Sequence, residues 1–209
     1  MIYQIALATG NSHKIQEIQN LLSKNLANAS SFHVLSPGEA GIIKFAPQET
    51  GTTFSENARI KSELLFTMTD IPSLADDSGI CVDALDGQPG VYSARFGGEN
   101  LNDRERAELL LEKLNFSNNR KAKFVSVISF TTAEGTIQFE GRVEGEILKV
   151  YNESGQGFGY DPIFFYPPLN RCFSEITIEE KNKISHRSIA LNKFIHYLAE
   201  RTGPPVNLL

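Results

Sequence analysis

The stretch Ile2-Tyr3-Gln4-Ile5-Ala6-Leu7-Ala8-Thr9-Gly10-Asn11-Ser12-His13-Lys14 decides the fold. Its first seven residues are mostly apolar and read as a buried strand, and Thr9-Gly10-Asn11 reads as a sharp turn. From about Ser12 onward, Ile15, Ile18, Leu21 and Leu22 recur at helical spacing, with Asn11 or Ser12 available as the cap. A short strand near Phe32–Leu35 completes a β-α-β opening. That opening points to an α/β protein.

Working outward, Thr53-Phe54-Ser55-Glu56 is a capping box that starts a second helix. One stripe of that helix carries Phe54, Ala58, Lys61 and Leu65, so a lysine lies inside an apolar face. Residues 72–84 read as a strand interrupted at Asp76-Asp77-Ser78-Gly79 and resumed at Ile80-Cys81-Val82. A third helix is predicted over about Asn102–Asn115, with Ala107, Leu110, Leu111 and Leu114 inward. Residues 123–150 are β-rich, with Gly135, Gly141 and Gly145 as turn or bulge positions. A last helix runs from about Ser185 to Arg201 and buries Ile189, Ala190, Phe194 and Leu198. Strands and helices are interspersed, with a long antiparallel section in the second half, so the fold expected is α/β around a mixed sheet, as one domain over residues 1–209.

Composition bounds the function. The 41% hydrophobic and 22% charged residues are ordinary globular values, which excludes a disordered or fibrous chain. The formal charge of −5 argues against a protein that coats a nucleic-acid polymer, because such binding is driven by phosphate neutralisation. Cys81 and Cys172 form no Cys-x-x-Cys pair and read as two reduced buried thiols. The N-terminal apolar stretch lacks a basic n-region, and no apolar run approaches the ~18 residues of a membrane span. A cytoplasmic protein without a membrane partner is expected.

Four stretches carry chemistry. Thr9-Gly10-Asn11-Ser12-His13-Lys14 places glycine and lysine at a helix N-terminus, where unpaired N–H groups attract anions, although a plain capped turn has the same composition. Asp76-Asp77 breaks an apolar strand with two carboxylates, a costly placement unless a cation or water compensates. Strand alternation sends the two to opposite faces, so one Asp faces the site, and Glu49 could be a second acidic ligand for Mg²⁺. Gly155-Gln156-Gly157-Phe158-Gly159-Tyr160-Asp161 can wrap a flat ligand between aromatic faces or serve as a connector. Lys181, His186 and Arg187 gather donors at the entrance of the final helix, as a solvated helix start would also do. His186 has no partner at zinc-ligand spacing.

The segments ATGNSHK (8–14), FSENARIKS (54–62), LADDSGICVDALDGQPGVYSARF (74–96), GFGYDPIF (157–164) and EEKNKISHR (179–187) resemble those of the inosine/xanthosine triphosphate pyrophosphatase family. They stand in family order along nearly the whole chain; Ser62 replaces a usual alanine and Ile80 a usual leucine. The resemblance implies an elongated mixed β-sheet flanked by helices, in two lobes with an active-site cleft between them, a homodimer, and Mg²⁺-dependent hydrolysis between the α- and β-phosphates of ITP, dITP or XTP. Such activity keeps these nucleotides out of DNA and RNA. By matching position, Thr9, Gly10, Asn11, Ser12, His13 and Lys14 would bind the triphosphate, together with Lys61 and Ser78. Asp77 would be metal ligand and proton acceptor, with Glu49 as the second metal ligand. Phe158, Gly159, Tyr160 and Asp161 would line the base pocket, completed by Lys181, His186 and Arg187. Arg187 or the backbone N–H groups of the 158–161 loop are expected to read the 6-oxo group. A nucleotide-binding regulator without catalysis and a pyrimidine-directed pyrophosphatase are the alternatives; the Asp pair speaks against the first and the Ser185-His186-Arg187 segment against the second.

Overall fold

The computed structural model describes residues 3–25, 32–155 and 157–202. Ile2, counted in the first predicted strand, and Gln156, in the glycine-rich loop, lie outside them. Seven strands pair in one mixed sheet: β1 (Tyr3–Leu7), β2 (Phe32–Leu35), β3 (Ser73–Val82), β4 (Lys121–Thr132), β5 (Gly135–Ile147), β6 (Phe164–Tyr166) and β7 (Arg171–Cys172). Their order is β2-β1-β3-β4-β5-β6-β7. β1 runs parallel to both β2 and β3, whereas β6 is antiparallel to β5 and β7. The helices are α1 (Ser12–Asn25), α2 (Phe54–Thr69), α3 (Asp103–Lys113), α4 (Ile178–Ile184) and α5 (His186–Thr202).

The chain forms two compact units, the first from residues 1–77, 126–141 and 187–209, the second from residues 78–125 and 142–186. In the first unit, strand alternation sorts the core. Ile5 and Leu7 of β1, Leu74 of β3, and Ile128 and Phe130 of β4 pack with Ile18 and Leu22 of α1 and Leu191 and Phe194 of α5. The intervening Ala6, Ala8 and Ala75 pack on Leu65 of α2. Small residues on that side let a helix lie close to the sheet. α2 is capped as its sequence predicts: Thr53 and Glu56 bond reciprocally to each other's backbone N–H. Ser62 of α2 seats on β4 through hydroxyl bonds to Ser129 (2.9 Å) and Thr131 (2.8 Å).

The second unit is built on aromatic rings. Phe124 packs on Phe164 at 4.6 Å and Phe164 on Phe173 at 4.8 Å between centroids. Gly145 is no turn: it lies inside β5, where a Cβ would strike the Phe164 ring and the Phe165 carbonyl. Gly135, at φ 124°, does open β5 at the turn from β4.

Four expectations need correction. β3 is continuous through Asp76-Asp77-Ser78-Gly79, because both carboxylates find cationic partners and no break is needed to reach water. The last helix starts where expected, α5 at His186, but the polar stretch leading into it is itself a helix, α4, which ends at Ile184 with the Ser185 N–H reaching the Lys181 carbonyl. Ile189 is only half-buried, its place in the core taken by Leu191 and Ile195. Cys81 is likewise half-buried, and only Cys172 is buried; both are free thiols. Among the described residues no helix is long and apolar enough to cross a membrane.

Candidate active site

The two aspartates inherit the alternation of β3. Asp76 has the parity of Leu74 and faces α1 and α5; Asp77 has the parity of Ala75 and faces α2. Asp76 is fully enclosed. Its Oδ2 meets Lys14 Nζ at 2.7 Å and the Arg187 guanidinium at 3.4 Å, while its Oδ1 accepts the Ser126 hydroxyl at 2.5 Å. Arg187, in the first turn of α5, also pairs with Glu17 of α1. Burial alone would raise the Asp76 carboxyl, but Arg187 and Lys14 outweigh it and hold it far below the ordinary aspartate range.

Asp77 has a different cation. Lys61 Nζ stands 2.7 Å from Asp77 Oδ1 and 2.9 Å from Glu49 Oε1, so one buried ammonium joins both proposed acidic ligands. This is why a lysine interrupts the apolar stripe of α2. Burial pulls the Lys61 ammonium toward neutrality, yet the two carboxylates prevail and keep it above the ordinary lysine value. For Asp77 burial prevails over Lys61, and the carboxyl is pushed up.

The turn before α1 is built as expected. Asn11 Oδ1 accepts the Lys14 N–H at 3.2 Å as the cap, and Thr9 Oγ1 accepts the Asn11 N–H at 3.2 Å. A Cβ at Gly10 would meet nothing within 4 Å, leaving open space beside that backbone. Ser12 and His13 fall in the first turn of α1, and their side chains lie outside the described residues.

The donor set suits a hard divalent cation. Mg²⁺ takes one or two protein carboxylates and completes its shell with phosphate oxygens and water. Asp77 Oδ2 is buried and has no hydrogen-bond partner among the described residues, so it has lone pairs to offer, and Glu49 is brought to the same ammonium. Among the described residues no group of three or more His, Cys, Asp or Glu could form a fuller cage.

In the second unit, Ser78 is half-buried in β3, and the glycine-rich loop folds around Asp161. Asp161 Oδ2 takes Lys181 Nζ at 2.5 Å and the Phe158 N–H at 3.3 Å. Lys181 Nζ also lies 4.7 Å from the Phe158 ring centre, a cation–π contact. The Tyr160 hydroxyl donates to the Ser93 carbonyl at 2.8 Å, so Tyr160 anchors the loop from a buried position. His186 stacks on Phe124 at 4.8 Å and 10°.

Most of the groups expected to read a 6-oxo group also have partners within the protein. The Arg187 guanidinium serves Asp76 and Glu17. The N–H groups of Phe158, Gly159 and Asp161 serve Asp161, Asp103 and the Phe158 carbonyl. Sequence reading also missed Glu17 and Ser126. The first could have been suspected as a carboxylate one helical turn after Lys14; the second, as a hydroxyl inside the apolar run Phe124-Val125-Ser126-Val127-Ile128.

With this geometry in place, the comparisons are consistent along the chain. The Ham1 family model matches residues 5–197. A dITP/XTP pyrophosphatase of Leptospira interrogans is 49% identical over 196 residues, covering 93% of this chain and 96% of its own. A protein of the same name from Leptospira biflexa is 50% identical over 194 residues, covering 92% and 95%. The solved structure of the Staphylococcus aureus Ham1 protein matches with a TM-score of 0.85 at 38% identity, over 95% of this chain and 100% of that one. The capped turn at Thr9, the Asp76-Asp77 strand and the Lys61 helix all lie within the matched span, and the chain belongs to the Ham1 family.

Proposed function

We propose that this protein is an Mg²⁺-dependent pyrophosphatase that hydrolyses ITP, dITP and XTP to the monophosphate and pyrophosphate, and so keeps them out of DNA and RNA. The relatives named dITP/XTP pyrophosphatase support the substrate class. The observation that carries the chemistry is Lys61 Nζ joining Asp77 and Glu49, with Asp77 Oδ2 left for a further partner. A divalent cation held by Asp77 and Glu49 would supply positive charge against the triphosphate oxygens. Lys14, fixed by Asp76, and the N–H groups at the start of α1 would bind the same phosphates. Thr9 to Lys14 and Lys61 thus serve the triphosphate, with Ser78 beside them in sequence to Asp77. Asp77 would accept the proton of the attacking water, with Oδ2 the oxygen that has no hydrogen-bond partner among the described residues.

The base is assigned to the glycine-rich loop and Lys181. The ring of Phe158 offers a stacking face, and Lys181 keeps donors beyond the one used by Asp161. Lys181 is a further donor for a 6-oxo group, and adenine, which presents an amino donor at that position, is disfavoured. His186 and Tyr160 hold the surrounding rings. The same reading makes the protein a cytoplasmic homodimer whose partner is the nucleotide, with neither a nucleic-acid polymer nor a membrane. Steady-state rates on ITP, dITP, XTP, GTP and ATP, with and without Mg²⁺, test it. ATP turned over as fast as ITP, or rates indifferent to Mg²⁺, would sink it.

A further inference from the structure

Asn57 lies one helical turn before Lys61 on the same face of α2 and is completely buried. Its Oδ1 accepts the backbone N–H of Gly51 at 2.8 Å, two residues beyond Glu49. The approach leaves no slack: a Cβ on Gly51 would stand 2.6 Å from Glu56 Cβ, 2.7 Å from Asn57 Oδ1 and 3.0 Å from the Asn57 nitrogen. Beside it, the Glu56 carboxylate takes the N–H groups of Thr52 at 2.7 Å and Thr53 at 3.1 Å. The segment that carries Glu49 is thus tied to the first turns of the helix that carries Lys61. Burial gives no reason for a carboxamide here, since Asn57 Nδ2 has no hydrogen-bond partner among the described residues, a cost an apolar side chain would avoid. An aspartate could accept the same N–H but would set a third carboxylate near Lys61.

We propose that Asn57 is a positioning residue of the metal site: through the Gly51 N–H it sets the Glu49 carboxylate at Lys61, where Glu49 and Asp77 can share one divalent cation. This rests on the reading of Glu49 as a metal ligand. Outer partners that orient a ligand typically change metal affinity 10–100-fold when removed.

The test compares Asn57→Ala, Gly51→Ala and Glu49→Gln in the full chain. Mn²⁺ alone is titrated and followed by the EPR signal of the free ion, and the Mg²⁺ dependence of ITP turnover is measured beside it. Asn57→Ala and Gly51→Ala should each weaken Mn²⁺ binding and raise the half-saturating Mg²⁺ by about tenfold or more, while kcat at saturating Mg²⁺ stays near wild type. Gly51→Ala attacks the same hydrogen bond from the loop and keeps the carboxamide, so it decides the matter if Asn57→Ala melts early. Wild-type metal dependence in these two variants, with Glu49→Gln impaired, overturns the role of Asn57 and leaves Glu49 a ligand. Wild-type metal dependence in all three overturns both. A fall in kcat without a change in metal dependence also overturns it, since that is what loss of packing alone would do.

Discussion

Asp76 and Asp77 are consecutive residues of one strand, yet Asp76 binds Lys14 at 2.7 Å and Asp77 binds Lys61 at 2.7 Å, each carboxylate on its own face of the sheet. The oxygens of Asp76 are taken by Lys14, Arg187 and Ser126, whereas Asp77 keeps Oδ2 without a hydrogen-bond partner among the described residues. The pair therefore divides into a fully partnered counter-ion and a carboxylate with one oxygen unbonded among the described residues.

Asp77→Asn is expected to fold and to lose about 10²–10⁴-fold in kcat on ITP, the range for a lost general base. Steady-state kinetics beside a thermal melt separate this from unfolding. Near-normal turnover would remove Asp77 from the chemistry.

Lys61→Met should shift the pH–rate profile. The Asp77 carboxyl is already raised by burial, and Lys61 is the nearest charge opposing that rise. Loss of the ammonium removes the opposition, so the carboxyl holds its proton to still higher pH. The acid limb of kcat/KM should move to higher pH; a limb that stays or moves down contradicts the pairing.

Asp76→Asn should act on stability. The folded carboxyl titrates below its ordinary value, so its contribution is fully present above about pH 3.9 and lost as pH falls toward the lower folded value. Removing one partner of a buried ion pair costs about 3–5 kcal/mol, here at neutral pH. Urea unfolding over a range of pH should show a destabilised variant whose stability depends less on pH below about 4. Equal stability at pH 7 would refute it.

Phe158→Leu should raise KM for ITP by about tenfold, as expected when one stacking face is lost, with kcat little changed. The contact of Lys181 with that ring goes at the same time, so discrimination against ATP should narrow. A panel of nucleotides measured at saturating Mg²⁺ reads both effects.

Much of this was legible in the chain. The β-α-β opening, the capping box at Thr53 and the apolar stripes of α1 and α3 depend on neighbours three or four residues apart, and each formed as read. The break expected in β3 did not form, because two buried charges look intolerable until their partners are known. Arg187 pairs with Asp76, 111 residues away in sequence, and with Glu17, partners that no local pattern announces. The separation of α4 from α5 was missed because Lys181 to Arg187 is uniformly polar around Ile184, and polarity alone does not end a helix.

The sequence by itself determined that one strand would send Asp76 and Asp77 to opposite faces, since a period of two is a property of extended backbone. It also determined that a lysine would sit within the buried stripe of α2 and that a capped, glycine-containing turn would open α1. Only the tertiary structure decided which cation met which carboxylate. Ser126 and Arg187 reach Asp76 from 50 and 111 residues away, and no local rule selects partners at that distance. Buried charges must be matched wherever the packed chain brings them together, so their pairing belongs to the whole fold.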